Sequence, residues 1–212
     1  MKITNRDIQL LLWINGFGFV FVLQIAKWMG TDFSTAARRV RLLIKAGLLR
    51  KLKQKALSGN PLVLTPDGAA AACDALAPLK GIRPGEFRHD SYLVDVARGL
   101  TALLPGSRFE PVRRVQQALG RGNGRHLPDG YLYRKNGERI IIELELSLKS
   151  KRRIAYILAQ HTADLEAVEI WYLTDSAVIA GAIKRASAGL DHVRVIGLSR
   201  KASDEATDKG AT

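Results

Sequence analysis

The stretch PDGYLYRKNGERIIIELELSLK, Pro128–Lys149, decides how the second half of this chain is read. Two apolar runs flank the turn residues KNGE, the pattern of a β-hairpin. Residues two apart share a face of a strand, so Glu143 and Glu145 point with Ile141 and Ser147. Ile140, Ile142, Leu144, Leu146 and Leu148 then point the other way, into a core. Asp129 opens the first strand, and across the hairpin it brings a third carboxylate to the two glutamates. Gathered carboxylates rise in pKa or demand a compensating cation. An oxygen-seeking divalent ion such as Mg²⁺ would meet that demand and could activate water beside a phosphodiester. The alternative is a solvated sheet face, with Glu143 and Glu145 in surface ion pairs to Arg125, Arg139, Lys149 or Arg152.

The acids stand out because the chain is basic. Its 212 residues carry a net charge of +13, with 47% hydrophobic residues, enough for one large domain or two small ones. Such a balance favours polyanionic partners. One cysteine, Cys73, excludes an internal disulfide framework and suits a reducing cytoplasm. No Cys/His cluster has zinc-site spacing. The apolar run at residues 8–30 is interrupted by Gln9, Asn15, Gly16, Gly18 and Gln24, which argues against a membrane span. It lacks a signal-peptide cleavage pattern. A cytoplasmic protein on the nucleoid is the expectation.

Residues 1–80 hold twelve Lys or Arg against four Asp and no Glu. Thr4 or Asn5 caps a first helix, FVLQIAKWM forms a second, and Ser34 caps a third, TAARRVRLLIKAG, closed by Gly47. Two short strand-like runs around SGN follow, and then a helix in DGAAAACDALA. That order, over residues 1–78, is the order of a winged helix-turn-helix. In the third helix Val40, Leu43, Ile44 and Leu48 face a core, leaving Thr35, Arg38, Arg39 and Arg41 to read a DNA groove. Lys51, Lys53 and Lys55 alternate along the first wing strand and suit the phosphate backbone. Any one of these charges alone reads as a solvated surface. Their coincidence on helix and wing points to double-stranded DNA. Trp13 and Trp28 sit in apolar runs as core residues.

PLKGIRPGEFR, residues 78–88, reads as a linker, and KASDEATDKGAT as a disordered tail within residues 201–212. Between them, residues 86–200 give the order α-β-β-β-α-β-α-β, an α+β or α/β unit with a mixed central sheet. GRGNGRH reads as a mobile basic loop whose Arg121 and Arg125 meet DNA. KSKRRIAY places cations at a helix N-terminus, the unfavourable end. Compensation by Glu143 and Glu145 or a nearby polyanion would explain them.

Pro128-Asp129 followed by Glu143-Leu144-Glu145 on this order resembles the PD-(D/E)XK, or restriction-endonuclease-like, superfamily. The resemblance implies Asp129 and Glu143 as metal ligands for Mg²⁺. Asp129, Glu143, Glu145 and Lys149 would be the catalytic set. It gives Glu86 or Asp90 as an extra acid and Gln160 and His161 as auxiliary polar groups. The motif's last position is usually Lys and here is Glu145, so Lys149 or Lys151 would have to reach back. With the preceding winged helix, the chain resembles the replication-relaxation proteins of plasmids and other mobile elements. His89 matches a structural or hinge position there. The resemblance implies a sequence-specific DNA-binding protein acting in replication, mobilisation or transcription regulation. Its nuclease-like domain would be inactive, and other mobile-element proteins would be partners; a second copy is expected if the target is palindromic. The second reading is a Mg²⁺-dependent endonuclease guided by the winged helix. The third is a protein-interaction module for acidic partners.

Overall fold

A computed structural model describes residues 2–53, 59–119 and 126–199. They are mixed α and β, eight helices with a two-stranded and a mixed five-stranded sheet among the described residues. They form two compact units that meet in sequence between Arg98 and Gly99.

The first unit opens with α1, Asn5–Phe17. Thr4 and Asp7 close it as a capping box, the Asp7 carboxylate accepting the Thr4 N–H at 2.8 Å. Gly18 ends it at positive φ, and residue Val20 bridges to Leu62. Helix α2, Val22–Met29, and helix α3, Phe33–Lys45, follow across a tight turn at Gly30. The cap of α3 is Asp32, not Ser34: its carboxylate accepts the Thr35 N–H at 2.9 Å. A charged acceptor two residues earlier outcompetes the serine hydroxyl, which itself donates to Asp32. The strands β1, Leu49–Lys51, and β2, Leu62–Leu64, pair antiparallel. Helix α4, Pro66–Ala71, is shorter than its alanine-rich sequence suggests and is capped by Thr65. Gly68 permits its close seat, since a Cβ there would lie 2.1 Å from the Leu48 carbonyl oxygen.

Leu10, Leu11, Ile14, Ile25, Val40, Leu43, Leu49 and Leu62 make the core of this unit. Trp13 stacks on Trp28 at 5.7 Å and both pack against that core, as their apolar context suggests. The long helix α5, Pro84–Leu103, begins inside the expected linker. Its first three quarters, through Arg98, belong to this unit. Phe87 stacks on Phe19 at 5.4 Å, and the Gln24 amide donates to the Ser91 carbonyl and to Asp95, each at 2.9 Å. A boundary at residue 86 is therefore displaced by about three helical turns.

The second unit builds its sheet in the order β3-β4-β5-β6-β7. Strands β3, Arg108–Pro111, β4, Gly130–Tyr133, and β5, Arg139–Leu144, pair antiparallel. Strands β6, Ala167–Thr174, and β7, Val193–Gly197, continue parallel to β5. Helix α7, Lys151–Thr162, joins β5 to β6, and α8, Ala177–Ala186, joins β6 to β7. The segment after β3 adds a helix that the strand-only reading missed: α6, Val112–Leu119, with Val115 in the core.

The alternation expected for β5 gives the right faces but the wrong solvation. Ile140, Ile142 and Leu144 are buried on one side, and Ile141 is equally buried on the other, among Tyr131, Ile157 and Tyr172. Strands in the parallel part of a sheet are covered on both faces, and β5 lies at the edge of that part. The solvated-face alternative for Glu143 and Glu145 is thereby removed.

Candidate functional site

The end of β5 brings the expected acids together. The pairing of Gly130 with Ile142 sets Asp129 one step further along, opposite Glu143. Asp129 accepts the Leu144 N–H at 2.7 Å, between the two glutamates in sequence. Glu143 and Glu145 are only 3% and 4% exposed. Three carboxylates thus share one buried corner, as the hairpin reading proposes, but each already has a donor.

Glu145 is ion-paired to Lys149, the lysine expected to reach back along the chain. That contact occupies Lys149 with a carboxylate. Burial pushes the Glu145 carboxyl above the usual range; Lys149 opposes it, and the charges of Glu143 and Asp129 add to it. Glu143 has two imidazole partners: His161, which the resemblance gives as an auxiliary polar group, and His126, which neither the residues nor the resemblance links to it. Its Oε1 receives His126 Nε2 at 3.0 Å and His161 Nε2 at 2.5 Å. Burial alone would raise the Glu143 carboxyl. The two histidines more than offset it, and the group sits below its ordinary value.

His161 comes from the last turn of α7 and is 3% exposed, whereas His126 precedes β4. Tyr172 completes the corner from β6, where it is the parallel partner of Glu143 and so shares its face. Its hydroxyl is buried without a hydrogen-bond partner among the described residues. Burial and then the charges of Glu143 and Glu145 push that phenol well above its usual range.

A magnesium ion asks for about six oxygen ligands in a near-octahedral array. Asp129 is taken by a backbone amide, Glu145 by an ammonium group and Glu143 by two ring nitrogens. The corner does not fit an oxygen-only ion. Glu86 and Asp90, proposed as an extra acid, lie in the first unit, paired with Arg83 and His89 at 3.1 Å each. Arg139 pairs with Asp164 and Glu166 instead of the glutamates. Lys151, Arg152 and Arg153 are exposed at the α7 N-terminus, while Gln160 is half-buried.

The first unit offers a different surface. Arg38 and Arg41 are exposed on α3, and Lys51 and Lys53 are exposed at the end of β1 with Leu52 buried between them. Thr35 is half-buried and donates its hydroxyl to Asp32 at 2.7 Å. Arg39, expected beside Arg38 on the reading face, is turned inward. Its Nε donates to Asp7 Oδ1 at 2.6 Å, and its terminal nitrogen meets Oδ2 of the same carboxylate. It clamps α3 to the capping box of α1. A cleft of about 290 Å³ opens beside this clamp, lined by Arg6, Trp28, Thr35, Arg38 and Leu42 among others. Lys55, Arg121, Arg125, the rest of the GRGNGRH loop before His126, and the 201–212 tail lie outside the described residues.

Compared with known proteins, the chain matches no family model, no curated protein and no solved structure. Among the described residues, no helix is long and apolar enough to cross a membrane.

Proposed function

We propose that the chain is a sequence-specific double-stranded-DNA-binding protein of a plasmid or other mobile element. Its first unit would act as a winged helix-turn-helix and its second as a nuclease-like unit that does not cut. The observation that carries this reading is the set of exposed cations Arg38, Arg41, Lys51 and Lys53 on one helix and the adjoining strand end. Val40, Leu43 and Leu52 anchor those elements in the core. Guanidinium forks suit base edges and phosphates, and lysines suit the backbone as point charges. The order α1-α2-α3-hairpin, with the Val20–Leu62 bridge beside the hairpin, supports the winged arrangement. The replication, mobilisation or transcription role, and partnership with other element proteins, follow from the resemblance of the sequence; a second copy joins if the target is palindromic.

Inactivity of the second unit rests on the pairing of Glu145 with Lys149. The position where the superfamily carries a free lysine holds a carboxylate, and the nearest lysine neutralises it. Incubation with supercoiled plasmid in Mg²⁺, in Mn²⁺ and in chelator is expected to retard the plasmid in a gel without nicking it. Metal-dependent nicking that disappears in Asp129→Ala would establish the endonuclease reading instead. Absence of any retardation would remove the DNA-binding one.

A further inference from the structure

The three side chains at the heart of the second unit match a different ion from the one its sequence motif suggests. His126, Glu143 and His161 each offer a ligand atom, and these atoms lie within 4.8 Å of one another. Two imidazoles and one carboxylate form a donor set for borderline divalent ions of the first transition row. Neutral ring nitrogens bind zinc well and magnesium poorly. Ring geometry agrees. At a zinc–nitrogen distance of 2.0–2.1 Å and a tetrahedral angle, two imidazole centroids stand about 5.2 Å apart. The centroids of His126 and His161 are 5.3 Å apart.

A second observation points to the same corner. The Tyr172 hydroxyl, on a residue 1% exposed, has no hydrogen-bond partner among the described residues, although its side chain shares the sheet face of Glu143. An orphaned oxygen beside a ligand triad is what a bound ion, or its coordinated water, would satisfy. Asp129 and Glu145 add negative charge around it, so a dication also relieves the crowding of carboxylates.

We infer that His126, Glu143 and His161 form a binding site for a divalent first-row transition ion, with zinc the best fit and magnesium excluded by the nitrogen donors. The site stands apart from the DNA-binding proposal, because it needs neither duplex nor cleavage. Loading requires the Arg153 guanidinium to leave His126 Nδ1. That contact is 3.5 Å long and made by an exposed side chain, so it is the weakest in the corner.

The test is calorimetric titration of the chelator-stripped full chain, without DNA, with ZnCl₂, MnCl₂ and MgCl₂ in turn. One zinc per chain should bind, manganese more weakly, and magnesium without measurable heat. His126→Ala should weaken zinc by at least about a hundredfold, the upper end of what loss of even an outer partner costs. It removes a residue whose side chain is 21% exposed, at the edge of the corner, and the variant is expected to fold. Circular dichroism checks this, and His161→Ala serves as the second variant. His192→Ala, a histidine outside the triad, should leave binding unchanged. Zinc affinity unaltered in His126→Ala and in folded His161→Ala, no zinc bound at all, or magnesium bound as tightly as zinc would each overturn the site.

Discussion

Arg39→Ala is expected to destabilise the first unit by about 3 kcal/mol, the cost of leaving a buried charge without its partner. The pairing is two-pronged, Asp7 is buried, and the arginine side chain is only 23% exposed. Removing the guanidinium leaves Asp7 with the Thr4 donors of its capping box, and it frees α3 from the start of α1. The effect carries a pH signature. Burial pushes the Asp7 carboxyl up, but the Arg39 and Thr4 donors outweigh it and hold the group below the usual carboxylate range. A depressed carboxyl binds fewer protons folded than unfolded. Its stabilisation is therefore present above the unfolded value near pH 4 and is lost as pH falls through the folded one. The gap between wild type and Arg39→Ala in urea unfolding should be widest at pH 7 and shrink below about pH 4. A loss under about 1 kcal/mol, or one that does not change with pH, would mean that the clamp is a surface pair.

The next largest effect falls on the second unit. His161→Ala strips the nearer of two donors from a glutamate that lies wholly inside the unit, and about 3 kcal/mol should again be lost in the metal-free chain. The companion variant separates an unpaired charge from lost packing. Changing Glu143 and His161 together to leucine removes charge and donor at once, and such replacements often come close to neutral. The double variant should then be more stable than His161→Leu alone and lose far less than the sum of Glu143→Leu and His161→Leu, a strongly non-additive cycle. If the two changes simply add, Glu143 does not depend on His161, and the corner is held by packing alone.

Much of this was legible from residue order, and the gaps have identifiable causes. Thr4, the spacing of Leu10, Leu11 and Ile14, the KNGE turn, and the two-residue spacing of Glu143 and Glu145 are local signals, and they point to α1, the β4–β5 hairpin and the acidic corner. The histidines are not local. His126 lies 17 residues before Glu143 and meets it across the β4–β5 hairpin, whereas His161 lies 18 residues after it and meets it through the β5–α7 crossover. No ligand-spacing motif can announce such a site.

Helix α6 was hidden by its basic composition, although Val112 and Val115 stand three residues apart. Arg39 carried a readable signal that a count of arginines obscures. It lies three residues after Ala36 and four before Leu43, beside the buried stripe, whereas Arg38 and Arg41 fall outside it. Charge alone grouped the three arginines; helical geometry separates them. The solvation of β5 is not legible in its alternation for a related reason. Period-two alternation tells which residues share a face, and only the crossover helices decide whether that face meets water.

Along α3, Arg39 is turned to the fold, while Arg38 and Arg41 are exposed and, in the proposed function, would meet DNA. Fluorescence anisotropy of a labelled duplex across a salt series, for the wild-type chain and the Arg38→Ala/Arg41→Ala double variant, tests this division most directly. The double variant should remain as stable as the wild type and bind more weakly. If each arginine meets one phosphate, its logarithmic salt dependence should be shallower by about 1.8. Equal affinity and equal slope in the two proteins would contradict the assignment of that surface to nucleic acid.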